Sequence, residues 1–178
     1  MGKESSMLLE CTKKLADTMK VDLVEYDELE SNPLFDWTVT LIDREEKRGV
    51  LLMNNKTRYP IILFGLKNSD FKDFDELVLN TIKQSFIDNE FPSEVVDKYM
   101  KCMSVPNYSK THERSILGQM SSIYKSMGLC VAEYFETSSG YSFGLSEIAG
   151  CYLYKDSKTK KIFTGVEAMK QELNCKVK

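Results

Sequence analysis

The chain is poor in the residues that announce common chemistry. It has one histidine, His112, among 178 residues, which excludes a histidine-rich metal centre and leaves a single place for a His-paired nucleophile. Its five cysteines (Cys11, Cys102, Cys130, Cys151, Cys175) are odd in number and contain no C-x-x-C pair, so neither a zinc site nor a disulfide framework is expected. Cys102 and Cys130 fall in apolar-periodic stretches and read as small buried hydrophobes of a reducing, cytoplasmic setting. There is no P-loop and no G-x-G-x-x-G, which removes nucleotide binding through those motifs. No uninterrupted apolar run exceeds the four residues seen at Ile61 to Phe64, whereas a bilayer-spanning helix needs about 20. A soluble protein without a membrane partner, a metal or a cofactor is expected. Charge is balanced too: 24 basic against 27 acidic residues give a net −3, so no chain-wide field attracts nucleic acid.

What is present is a sequence of well-marked periods. Met7 to Cys11 reads as a strand that passes into a short helix carrying Leu15 and Met19 behind a Thr12 cap. Asp22 to Glu30 holds five carboxylates and no cation, which predicts a solvated acidic loop. Three runs rich in branched and aromatic residues follow: Trp37 to Ile42, Gly49 to Met53 and Tyr59 to Phe64. Polar turns separate them, so they predict an antiparallel meander, with Pro60 confined to a strand start or an edge. From Asp70 the period becomes helical through Phe71, Phe74, Val78, Ile82 and Phe86, and a second helix starts after Pro92 and Ser93. Ser104 to Thr111, with Pro106 and Asn107, reads as a break.

The longest apolar stripe runs through Ile116, Met120, Ile123, Met127, Tyr134 and Phe135. Thr111 is its expected N-cap, and Gly118 and Gly128 are expected to mark a close helix contact or a bend. Residues 137–150 are rich in Ser and Gly and predict a linker. Beyond it, Cys151 to Tyr154 and Lys161 to Phe163 predict a hairpin, and T-G-V-E at Thr164 to Glu167 is a capping box that opens a last helix. The expected fold is α+β: an antiparallel sheet of three to five strands covered on one face by two or three helices (residues 1–136), the 137–150 linker, and a small hairpin–helix unit (151–178).

Two segments carry the chemistry. N-N-K-T-R-Y (Asn54 to Tyr59) joins two strands, and Y-S-K-T-H-E-R-S (Tyr108 to Ser115) enters the long helix. If they meet, Lys56, Arg58, Tyr59, Lys110, Thr111 and Arg114, with the backbone N–H groups of a helix start, form a site for phosphate or carboxylate. The alternative for the arginines is pairing with Asp43, Glu45 or Asp73 on a solvated face.

Five ordered segments also carry a resemblance: C-T-K-K-L (Cys11 to Leu15), P-L-F-D-W (Pro33 to Trp37), L-L-M-N-N-K-T-R-Y (Leu51 to Tyr59), L-F-G-L-K-N-S-D-F (Leu63 to Phe71) and R-S-I-L-G-Q-M (Arg114 to Met120). Together, over about residues 7–135, they resemble a small domain-of-unknown-function family of bacteria, plasmids and phages. The resemblance implies a compact α+β domain, a cytoplasmic setting and a mobile-element or defence context, with no catalytic residues to carry over.

The functional expectation is a non-enzymatic binding or interaction protein. Its basic patch would recognise a phosphate-bearing ligand, a nucleic acid or an acidic protein. The alternative is an enzyme acting on a nucleotide or nucleic-acid phosphate, with His112 as general acid or base. A third reading places recognition in the lysine-rich tail from Lys155 to Lys178.

Overall fold

In the computed structural model the strand-type runs of the sequence assemble into one mixed sheet. The structure describes residues 7–27, 31–44, 46–103, 105–130, 140–156 and 158–174, with the backbone alone at 129 and 130. In chain order the elements are β1 (Leu8–Cys11), α1 (Lys13–Met19), β2 (Trp37–Leu41), β3 (Arg48–Asn54), β4 (Pro60–Leu66), α2 (Phe74–Asp88), α3 (Ser93–Cys102), β5 (Asn107–Lys110) and α4 (Arg114–Cys130). They continue with β6 (Gly140–Tyr141), α5 (Phe143–Gly150), β7 (Leu153–Lys155), β8 (Ile162–Thr164) and α6 (Gly165–Glu172).

The main sheet has six strands in the order β5-β1-β2-β3-β4-β6, and β7 and β8 form a separate hairpin. The expected sheet was antiparallel with at most five strands; here β1 runs parallel to both β2 and β5. Two features of the chain produce the difference. The α1 crossover returns the chain parallel to β1, and residues 107–110, which Pro106 and Asn107 disguise as a break, add an edge strand. The predicted meander is present as β2, β3 and β4, antiparallel in sequence, with Pro60 as the first residue of β4.

Helices cover both faces of the sheet rather than one. β3 and β4 are apolar at consecutive positions, a pattern that buries both sides of a strand. Leu9, Cys11, Val39, Val50, Leu52, Ile61 and Leu63 point into one core with Leu15 of α1, Val78, Ile82 and Phe86 of α2 and Tyr99 of α3. Leu51, Met53, Ile62 and Phe64 point into a second core with Ile116, Met120, Ile123 and Met127 of α4 and Leu145 and Ala149 of α5.

Where a linker was expected, residues 140–150 form a strand and a helix. Tyr141 pairs with Leu63, and the serines that suggested flexibility make fixed hydrogen bonds. Ser142 Oγ caps α5 by accepting from Leu145 N (3.3 Å), and Ser146 Oγ accepts from Ile62 N of β4 (2.9 Å). Residues 137–139, and the expected continuation of the long helix to Phe135, lie outside the described residues. The hairpin and the Thr164–Glu167 capping box occur as the sequence predicts. Among the described residues no helix is long and apolar enough to cross a membrane.

Candidate functional site

At the carboxyl ends of β1 and β5 the chain leaves for opposite faces of the sheet. α1 packs into the first core and α4 into the second, the kind of switch point beside which sheets with parallel strands hold ligands. Glu10, the last residue but one of β1, is fully buried there. Its register partners are Thr38 on β2 and Ser109 on β5, so the three polar side chains share a face. Burying a carboxylate requires hydrogen-bond donors around it, and Glu10 has three. Oε1 accepts from Asn55 Nδ2 at 2.6 Å, and Oε2 accepts from the backbone N and the ring Nδ1 of His112 at 3.1 and 2.7 Å. Asn55 is oriented in turn, its Oδ1 accepting from Thr38 Oγ1 at 2.8 Å.

His112 is stacked on Tyr26, with ring centroids 3.7 Å apart and planes at 7°. Tyr26 belongs to the acidic segment expected as a solvated loop; its carboxylates Asp22, Glu25 and Asp27 are exposed, and its backbone is tied to β5. Val24 N donates to Tyr108 O and Lys110 N to Val24 O, both at 3.0 Å, and Lys110 Nζ pairs with Glu25. The segment therefore lies along the edge of β5 and holds an aromatic ring over the imidazole.

The two basic segments do meet, though not as an unopposed cationic patch. Arg58 Nη2 reaches Glu113 Oε1 at 2.6 Å, and its Nη1 donates to the carbonyl of Asn55. Lys56 pairs with Glu172 at 2.8 Å. Arg58 therefore takes Glu113 as its acid; Asp43, one of the partners expected for it, pairs with Lys14 at 2.7 Å. Arg114 stands exposed in the first turn of α4. Thr111 is half-buried and is not the helix cap, because β5 runs to Lys110 and α4 begins only at Arg114. Tyr59 is fully buried in the first core. Its hydroxyl bonds Ser85 Oγ (2.8 Å) and accepts from Asn89 Nδ2 (2.8 Å), and its ring packs on Trp37, Phe86 and Phe91.

Two neighbours of Glu10 have displaced proton affinities. Burial, aided by the Glu10 charge, pushes the Cys11 thiol up to about 12, so it is no thiolate nucleophile for His112. Asp36 is raised to about 6, mainly by burial; its carboxylate accepts from Leu8 N (3.0 Å) and Ser31 Oγ (2.7 Å). Among the described residues no three metal-binding side chains cluster.

Sequence reasoning missed Glu10, Thr38, Asn55 and Tyr26. One signal was available: Glu10 interrupts the apolar run M-L-L-E-C, and a lone charge inside a buried strand asks for partners. A cavity of about 830 Å³ lies elsewhere, lined by Lys20, Arg48, Phe71, Lys72, Asp75 and Tyr108. Its cations and carboxylates offset one another and the Tyr108 hydroxyl is bonded to Asp75. Among the described residues, a buried carboxylate holds an imidazole at His112 alone.

A family model described as a domain of unknown function, DUF6933, matches residues 8–164. The match extends past the 7–135 span of the resemblance and takes in the hairpin of β7 and β8. No curated protein and no solved structure matches.

Proposed function

The chain belongs to this family of domains of unknown function, and from that premise we propose that it takes a phosphate-bearing ligand at the carboxyl ends of β1 and β5, with His112 as the proton-transferring group that meets it. The observation that carries this reading is the bond from His112 Nδ1 to the fully buried Glu10. A carboxylate on Nδ1 fixes the tautomer and the ring plane, leaving Nε2 at the opposite edge of a ring that is 35% exposed. Asn55 and Thr38 hold the carboxylate in turn. Nε2 is then placed to give or take a proton at a phosphate oxygen or at an attacking water. Arg114, two residues on and exposed, supplies a cation at the same helix start. The bacterial, plasmid or phage setting implied by the resemblance belongs to the same proposal.

A second reading, binding without turnover, is favoured by the ion pairs. Lys56, Arg58 and Lys110 each have a carboxylate partner, which leaves them little free charge with which to stabilise the transition state of a phosphoryl transfer.

The single histidine makes the test direct, because one imidazole gives one set of ring nitrogen resonances. Adding inorganic phosphate or adenosine monophosphate is expected to move the His112 signals saturably, and the Arg58→Ala/Arg114→Ala double variant to weaken the effect. Turnover of bis(p-nitrophenyl) phosphate that falls about 100-fold or more in His112→Gln supports the enzyme. Saturable binding with no turnover supports the binder. If neither anion moves the signals at millimolar concentration, the site assignment is wrong.

A further inference from the structure

Two exposed surfaces of this chain are complementary, and they are built from different ends of it. The first is the outward face of the β7–β8 hairpin. Tyr154 and Phe163 face each other across the ladder and pack inward, their rings 5.7 Å apart. The alternate residues Leu153 and Ile162 therefore face solvent, at 63% and 66% exposure. Lys155, Lys158, Lys160 and Lys161 are exposed around them. The two nearby acids are engaged by backbone: Asp156 Oδ1 accepts from the N–H groups of Lys158 and Thr159 in the turn, and Glu167 caps α6. Residues 153–164 hold four lysines against one aspartate, a local +3, so the rest of a chain of net −3 carries −6.

The second surface is the segment along β5. Val24 is 57% exposed, Asp22 and Asp27 are exposed on either side of it, and Glu25, also exposed, shares its charge with Lys110. Its backbone is fixed by the two hydrogen bonds to β5, so it is presented as a rigid strip. An apolar centre in an acidic ring stands on one part of the molecule, and an apolar pair in a basic ring on another.

We infer that the hairpin of one copy docks on the Asp22–Asp27 strip of a second copy. Within one copy the surfaces do not cover each other, since Val24, Leu153 and Ile162 are all open. A contact between unlike surfaces closes into a two-fold dimer where both pairs of surfaces meet at once, and otherwise repeats from copy to copy into a ring or a chain. Nucleic acid is the poorer fit for the hairpin, because the outward residues are aliphatic and offer no ring for base stacking. Opposite charge aligns the two surfaces and the apolar residues supply the contact, so association weakens as salt screens the first.

Sedimentation velocity of the full chain over a concentration series at low and high salt tests this. The wild type is expected to associate at low salt, and Lys155→Glu/Lys161→Glu to weaken association by about tenfold or more. Asp22→Lys/Val24→Lys alters the strip at exposed side chains and should have the same effect. Mixing the two variants should give a 1:1 complex and not wild-type assembly, because the intact hairpin of one meets the intact strip of the other, while the altered strip lacks the apolar Val24 that supplies the contact and does not propagate it. A wild type that stays monomeric at every concentration overturns the proposal. So does association indifferent to both variants. A monomer that pellets with phosphatidylglycerol vesicles also overturns it, and reassigns the hairpin to an anionic bilayer.

Discussion

At the scale of single residues, the sheet keeps two carboxylates buried by different means. Glu10 has donors on both oxygens, two from His112 and one from Asn55. Asp36 is also fully buried, yet burial outweighs its hydrogen bonds from Ser31 and Leu8 and lifts it from an ordinary 3.8 to about 6. Below pH 4 the folded and unfolded states both hold the proton. Between about 4 and 6 the folded state binds a proton that the unfolded state has lost, so stability falls as pH rises through that window. Above 6 the loss is complete and constant, on the order of 3 kcal/mol for a shift of this size. Asp36→Asn keeps an oxygen for Leu8 N and offers an N–H to Ser31, and it has nothing to titrate. Urea denaturation of both proteins from pH 4 to 7 is expected to show the variant gaining on the wild type as pH rises. A stability difference that stays flat across the window would remove Asp36 as its source. None of this was legible beforehand, because P-L-F-D-W reads as a loop entering a strand and does not say that the carboxylate turns inward.

At the scale of elements, the clearest readings were those in which local pattern and tertiary need agree. The meander, the α4 stripe and the capping box of α6 all follow from period and caps. β5 and α5 did not, because their determinants are partners distant in sequence. N-Y-S-K becomes a strand by bonding β1, and the Ser/Gly stretch becomes a helix whose Ser146 completes the hydrogen bonding of β4. The two basic segments are a similar case: spacing could nominate Arg58 and His112, but not the buried Glu10 that gathers one of them, nor Glu113, which neutralises the other.

Glycine makes the same point about seating an element. Gly118 was expected to mark a close contact or a bend, and for the contact a Cβ there would meet nothing within 4 Å, whereas at Gly165, the first residue of α6, it would lie 2.4 Å from the carbonyl oxygen of Arg58 and 2.8 Å from the Tyr59 Cα. Backbone cannot yield as a side chain can. Arg58 is itself held at φ +66°, so the turn it forms has little freedom to move away. Gly165→Ala is expected to lift α6 off this turn, loosening Met169 from the first core, and to cost about 1–3 kcal/mol. Gly118→Ala should stabilise α4 by up to about 1 kcal/mol. Chemical denaturation of the pair decides it, since equal effects would mean that the contact at Arg58 does not hold the helix.

At the scale of the whole molecule, the remaining question is whether residues 1–136 could fold without the C-terminal elements, as the composition shift at Thr137 suggested. Four contributions come from beyond that point. β6 pairs with the outer edge of β4, Ser146 accepts from Ile62 N, Leu145, Ala149 and Tyr154 fill the second core, and Met169 enters the first. Without them β4 becomes an open edge strand with Ile62 and Phe64 bared on one face, the condition under which strands pair with other chains. Both cores lose side chains at once, and because they share β3 and β4 the loss is not confined to one layer. A chain cut after Glu136 is therefore expected to lose the cooperative thermal transition of the full protein, to bind an apolar dye such as ANS, and to aggregate at concentrations where the full chain does not. Near-UV circular dichroism separates the cases, because Trp37 and Tyr59 report on the first core from residues that both proteins contain. A native-like near-UV spectrum with a sharp melt in the cut chain would establish an independent domain and an appendage; a collapsed spectrum means that the two layers and the C-terminal elements fold as one unit.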